Sequence, residues 1–169
     1  MLDMSLVSAI SAIVAAAGVI VGVIYYTLQI RHQTKLRQMD LLMNLYLTWG
    51  SEDMKKATGR FLAIEVKDYS DFVKKHGPLV SVEPERSQIW NDIDRIGWFF
   101  NGIGFLVYGK FVNIKLIEGL LGYGIVLAWE KMKPLVYGWR KQYNMPKSFA
   151  WFEYLANEMK KREQTLQQV

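Results

Sequence analysis

The chain has 169 residues, 51% hydrophobic, 14% aromatic and 22% charged, with a formal net charge of +5. That composition excludes a disordered chain and leaves room for one domain plus an appendage. The absence of cysteine removes disulfides and thiolate metal sites.

The charges are unevenly placed, and residues 4–30 carry none. A helix over that segment is about 40 Å long at ~1.5 Å per residue, against a hydrocarbon core of roughly 30 Å. Its uninterrupted apolar part, residues 6–24, is long enough to span, and Tyr25 and Tyr26 fall where an aromatic belt is expected. A cleaved signal peptide would want a basic leading end and a shorter apolar stretch. The leading residues are Met-Leu-Asp-Met, so residues 1–30 are expected to be a retained transmembrane anchor. Asp3 precedes the span and Arg31, Lys35 and Arg37 follow it. The positive-inside rule then puts the amino terminus outside and the rest of the chain in the cytoplasm.

The span is rich in small residues, and Gly18-Val-Ile-Val-Gly22 is a small-xxx-small pair that lets two helix backbones approach closely. Glycine and alanine are also common in any spanning helix. In favour of a seam, the register Ser11, Ala15, Gly18, Gly22 continues as Tyr25, Gln29, His32, Leu36, Met39, Met43 and Tyr46. That 4-3 alternation predicts self-association along one helix, through the anchor and a juxtamembrane extension over residues 31–49. In an alternative arrangement, several copies surround a pore lined by Ser5, Ser8 and Ser11, with Asp3 ringing its outer mouth.

Gly50-Ser51-Glu52-Asp53 predicts a stop followed by a new start, opening a helical domain over residues 50–165. A second helix is expected to about Glu65, then a break at His76-Gly77-Pro78 and a loop holding Glu83, Pro84 and Glu85. From Glu85 to Tyr108, the residues Ile89, Ile93, Ile96, Phe100, Ile103 and Val107 form one apolar stripe at helical spacing. Gly97, Asn101 and Gly104 make a smooth strip on another side where a neighbouring helix can lie close. Trp98, Phe99 and Phe105 fill much of the remainder, which predicts a central helix.

Gly109-Lys110 ends that helix, and Asn113 is placed to cap another that Pro134 kinks or restarts before Tyr143. After Asn144-Met145-Pro146, a last helix puts Phe149, Phe152, Leu155 or Ala156, and Met159 on one face, with a polar tail expected to fray from Lys160. No alternating strand pattern of useful length is present. The expected fold is all-α: one long amino-terminal transmembrane helix extending into a cytoplasmic bundle of about five helices.

Residues 96–104 (Ile-Gly-Trp-Phe-Phe-Asn-Gly-Ile-Gly), Gly109, Trp129-Glu130, Pro134, Arg140, Tyr143, Pro146 and Phe152-Glu153-Tyr154-Leu155-Ala156 form a recognisable pattern. With the anchor layout, it resembles a widespread family of short prokaryotic proteins that have one amino-terminal membrane anchor and a helical domain of unknown function. The resemblance implies topology, fold class and the cytoplasmic membrane of a prokaryote. It supplies no reaction and no catalytic residues.

Chemistry-bearing clusters are sparse. His32 and His76 are far apart and lack companion ligands, so no metal is expected. The glycines at 102 and 104, and at 119, 122 and 124, fit neither phosphate-loop pattern and are better explained by helix packing. Glu130, Arg140 and Glu153 sit among aromatics, where a structural ion pair between helices is the simpler reading than catalysis. Lys131, Lys133, Arg140, Lys141 and Lys147 are interleaved with Trp139 and Tyr143; apposition to anionic lipid, or no role at all, is the preferred reading over nucleic acid. The sequence therefore predicts a non-enzymatic scaffold or accessory subunit without a cofactor. Its expected partners are the lipid bilayer, further copies of itself and subunits of a larger membrane assembly.

Overall fold

A computed structural model describes residues 4–78 and 87–166 of the chain. Asp3 and the expected loop at Glu83, Pro84 and Glu85 lie outside the described residues. Six helices and, among the described residues, no strand make up the fold. A long apolar helix, α1 (Met4–Trp49), is followed by a bundle of α2 (Glu52–Ala63), α3 (Tyr69–His76), α4 (Gln88–Tyr108), α5 (Ile114–Gln142) and α6 (Ala150–Leu166). The chain divides into two compact units between Leu41 and Leu42.

The first unit is the greater part of α1. Valine, isoleucine and leucine dominate it, and it holds no proline to interrupt the 46-residue ladder of backbone hydrogen bonds. Its hydroxyls close back on their own helix: Ser11 donates to the Val7 carbonyl at 2.9 Å, and Thr27 to that of Val23 at 2.8 Å. A hydroxyl satisfied in this way is cheaper to keep away from water.

The second unit begins with the last turns of α1, where Leu42 is buried and Trp49 stacks on Phe99 with ring centroids 5.7 Å apart. Gly50 ends α1, and the Ser51 hydroxyl accepts from the Met54 amide to start α2, with Glu52 and Asp53 in its positive first turn. Met54, Ala57 and Phe61 are buried, on the helix that packs against α4. The helix α3 has no counterpart among the elements expected from the sequence. Asp68 caps it by accepting from the Asp71 amide at 2.8 Å. It lies on α5, where the Tyr69 ring fills the space that a side chain at Gly138 would need.

All six residues of the α4 stripe are buried. The smooth strip beside it receives α6. Gly97 faces Met132 and Phe149, and Gly104 is so close to the Trp151 backbone carbonyl that a methyl group there would collide. Between them, Asn101 Oδ1 accepts from the amides of both Trp151 and Phe152, each at 3.2 Å. These two amides open α6 and have no partner within their own helix, so a side chain of α4 serves as the cap.

Three expectations meet different outcomes. First, α4 is central, contacting α2, α5 and α6, although Trp98 on it stays 62% exposed and Phe105 49%. Second, α5 is a single helix that runs through Pro134, so the proline does not restart it. Third, the polar tail stays helical to Leu166. Arg162 Nε donates to Glu118 at 2.7 Å and Lys160 pairs with Glu130, both tying α6 to α5.

Two helix ends use left-handed residues that are not glycine. In the turn after α4, Lys110 has φ 59°, with its amide donating to the Val107 carbonyl and that of Phe111 to Leu106. After α5, Asn144 has φ 52° and the Met145 amide reaches the Arg140 carbonyl. Both ends satisfy last-turn carbonyls in the manner of a Schellman cap.

Candidate functional site: the apolar helix and the buried ion pairs

Two features carry potential function: the bare surface of α1 and the charged groups held inside the bundle. In the first unit, the side chains described as far as Arg37 are all exposed. Val19 is 67% exposed and Val23 62%, although both are strongly apolar. The helix is long and apolar enough to cross a membrane, and its most hydropathic stretch is entirely uncovered by the rest of the chain. A water-soluble helix would present a polar face on one side; this one has none through residue 30.

The seam residues Ser11, Ala15, Gly18, Gly22, Tyr25, Gln29, Leu36, Met39 and Met43 all lie on this helix and are exposed. Nothing lies within 4 Å of a Cβ built on Gly18 or Gly22, so that face is open to a neighbour. Ser5, Ser8 and Ser11 are exposed on the first turns, and Ser11 belongs to both the seam and the pore-lining set. His32 is exposed on α1, while the His76 ring packs against Phe72 at 4.5 Å in the bundle.

Inside the bundle, Arg140 Nη1 meets Glu153 Oε2 at 2.6 Å, joining α5 to α6. The same guanidinium donates from Nε to the Ser148 carbonyl, and the Tyr137 hydroxyl donates to the other Glu153 oxygen at 2.6 Å. Burial pushes the Glu153 carboxyl up, but the bonds from Tyr137 and Arg140 outweigh it and hold the group below the usual carboxylate range. Glu130 is not part of this cluster. It is ten positions from Arg140 on one helix, roughly 15 Å along the axis, and pairs instead with Lys133 and Lys160. The Lys160 bond, assisted by Lys133, keeps its carboxyl low against the opposing effect of burial.

The most deeply buried charge among the described residues was not singled out from the sequence. Asp92, 1% exposed, accepts from Arg60 Nε at 2.6 Å and Nη2 at 2.8 Å, and from Gln88 at 3.1 Å. Burial raises its carboxyl, and the fork of Arg60 with Gln88 overrides this and lowers it. Periodicity contains the signal: Ile89, Asp92 and Ile96 follow 3-4 spacing, so an acid sits in an apolar register and must find a cation.

The basic stretch on α5 is largely engaged within the bundle. Lys131 donates to the Leu62 carbonyl at 2.6 Å and lies over the Phe61 ring, Lys133 is held by Glu130, and Arg140 by Glu153. A groove between α5 and α6, about 380 Å³, is lined by Glu118, Glu130 and Glu163 above Gly122, Val126 and Met159. Two of its carboxylates are already neutralised, Glu118 by Arg162 and Glu130 by its lysines.

Over residues 6–159 the chain matches the family described as a domain of unknown function, DUF4760. The chain belongs to this family. No curated protein and no solved structure matches it. The DUF4760 match begins within the apolar helix and ends at Met159, a buried residue of α6, so the family pattern takes in both the anchor-like helix and the bundle. That agrees with the resemblance, which took in residues 96–159 together with the anchor layout.

Proposed function

We propose that this chain is a single-pass protein of a prokaryotic cytoplasmic membrane, with its amino terminus outside and its bundle in the cytoplasm. It self-associates along α1 and acts as a non-enzymatic scaffold or accessory subunit of a membrane assembly. The observation that carries the reading is the uncovered apolar surface of α1, for which a bilayer is the fitting solvent. The asymmetry of Asp3 against Arg31, Lys35 and Arg37 supports the orientation. The open Gly18–Gly22 face supports a helix–helix seam, because lipid drives no association by itself and close backbone contact must provide it.

A structural role also fits the charges, since Asp92 and Glu153 are each held by an arginine from another helix. The ion-conducting alternative places Ser8 and Ser11 along a lumen, but no observation favours it over a closed seam.

The test is the mass of the detergent-solubilised full-length protein, with and without Gly18→Leu and Gly22→Leu. The substitutions are expected to shift the complex towards monomer. Unchanged oligomer mass removes the seam, and recovery of the native chain in buffer without detergent removes the anchor.

A further inference from the structure

At the end of the bundle where α4 turns into α5, aromatic rings that pack on one another and on Trp151 and Tyr154 keep much of their surface exposed. Phe105 is 49% exposed, Tyr108 56%, Phe111 59% and Leu116 39%, all within the last turn of α4, the following turn and the first turn of α5. Lys110 and Lys115 lie among them, both exposed, and neither forms an ion pair among the described residues. The acidic residue of this segment, Glu118, is neutralised by Arg162. Lys110 holds a left-handed conformation that glycine would adopt at lower cost. The α5 lysines at 131 and 133 contrast with this pair, because Lys131 donates to the Leu62 carbonyl and Lys133 pairs with Glu130.

We propose that this α4–α5 end is a bilayer-docking surface, with its aromatic rings at the headgroup level and Lys110 and Lys115 on anionic lipid phosphates. Tyr108 with its hydroxyl tip and the lysines with their long apolar stems suit the water–lipid boundary, and Phe105, Phe111 and Leu116 supply apolar area beside them. The charge sign selects anionic lipid, and each lysine adds roughly fivefold to the docked population. The inference rests on the membrane-anchor reading, which keeps the bundle at high effective concentration beside a bilayer.

The natural lack of cysteine makes the test direct. Full-length protein with Phe111→Cys, or separately Leu116→Cys, is spin-labelled and reconstituted into phosphatidylcholine bilayers with or without phosphatidylglycerol. Met145→Cys, at the turn between α5 and α6, is the reference. With phosphatidylglycerol, labels at 111 and 116 are expected to collide with oxygen more than with an aqueous nickel chelate, while the label at 145 favours the chelate. Adding Lys110→Gln and Lys115→Gln should lower the docked-to-free ratio roughly 30-fold. Chelate-accessible labels at 111 and 116 in both lipids, in protein that survives a carbonate wash in the bilayer, overturn the docking surface and leave the anchor standing. Release by carbonate overturns the anchor and the proposal with it. Lipid-independent spin–spin broadening at 111 assigns the surface to a second copy and overturns the proposal as well.

Discussion

Replacing Gly104 by alanine places a methyl group against the Trp151 carbonyl, which is backbone and cannot rotate aside. The helices α4 and α6 must then separate locally, and with backbone as the obstacle the cost lies in the upper part of the overpacking range, about 2–3 kcal/mol. Alanine recovers roughly 0.8–1 kcal/mol of helix propensity, leaving a net loss of about 1–2 kcal/mol. Two residues earlier on the same helix, Gly102 has nothing within 4 Å of its Cβ position, so Gly102→Ala keeps the propensity gain without the clash. Near-ultraviolet circular dichroism of the full-length protein in detergent is the natural assay. All six tryptophans, the first being Trp49, lie in the second unit, so the tryptophan bands of this signal follow the bundle and not the first unit. At about 4 °C per kcal/mol, the Tm is expected to fall by roughly 4–8 °C for Gly104→Ala and to rise by about 3–4 °C for Gly102→Ala. A Gly104→Ala protein as stable as Gly102→Ala would refute the close approach of α4 to α6.

Asn101→Ala leaves two opening amides of α6 without their acceptor and should cost about 1–2 kcal/mol; hydrogen exchange at Trp151 and Phe152 should accelerate well before that of mid-α6 amides. Asp92, held low by Arg60 and Gln88 against burial, gives stability that is present above the unfolded carboxylate's pKa of about 3.9. That contribution disappears as pH falls through the lower folded value. Asp92→Asn should therefore flatten the acid limb of a Tm–pH curve, and an unchanged limb would discount the Arg60 fork. Tyr137→Phe removes one of the bonds that keep Glu153 low, so the Glu153 carboxyl should titrate at higher pH, as followed by carbon-detected NMR.

The parts of the fold that were legible in the sequence are those where one physical constraint acts over many residues. The α1 apolar run and the α4 stripe each repeat their pattern over several turns, so tertiary context has little room to override it. The strip of Gly97, Asn101 and Gly104 was readable as a place of close approach because small residues have few other reasons to recur at helical spacing. By contrast, α3 has only eight residues and buries just Tyr69 and Phe72, too few for periodicity to register. Asp92 was hidden by its isolation, since a single acid in an apolar register reveals its partner only after α2 folds back beside α4. The separation of Glu130 from Arg140 was in principle available, because helix rise alone keeps groups ten residues apart from meeting. It required taking α5 as unbroken through Pro134. Exposure of Trp98 and Phe105 was not available, because apolar composition gives the capacity for burial and says nothing about whether a neighbour arrives.

The borrowed start of α6 bears on how the chain is made. Trp151 follows Asn101 by 50 residues, so α4 leaves the ribosome well before the segment that fills its trough. At roughly 5–20 residues per second, Gly97 and Gly104 face an empty furrow for several seconds of translation. A nascent chain stalled near residue 150 would display that furrow indefinitely, offering chaperones and proteases a marker of incompletion that vanishes when the final helix clicks into place.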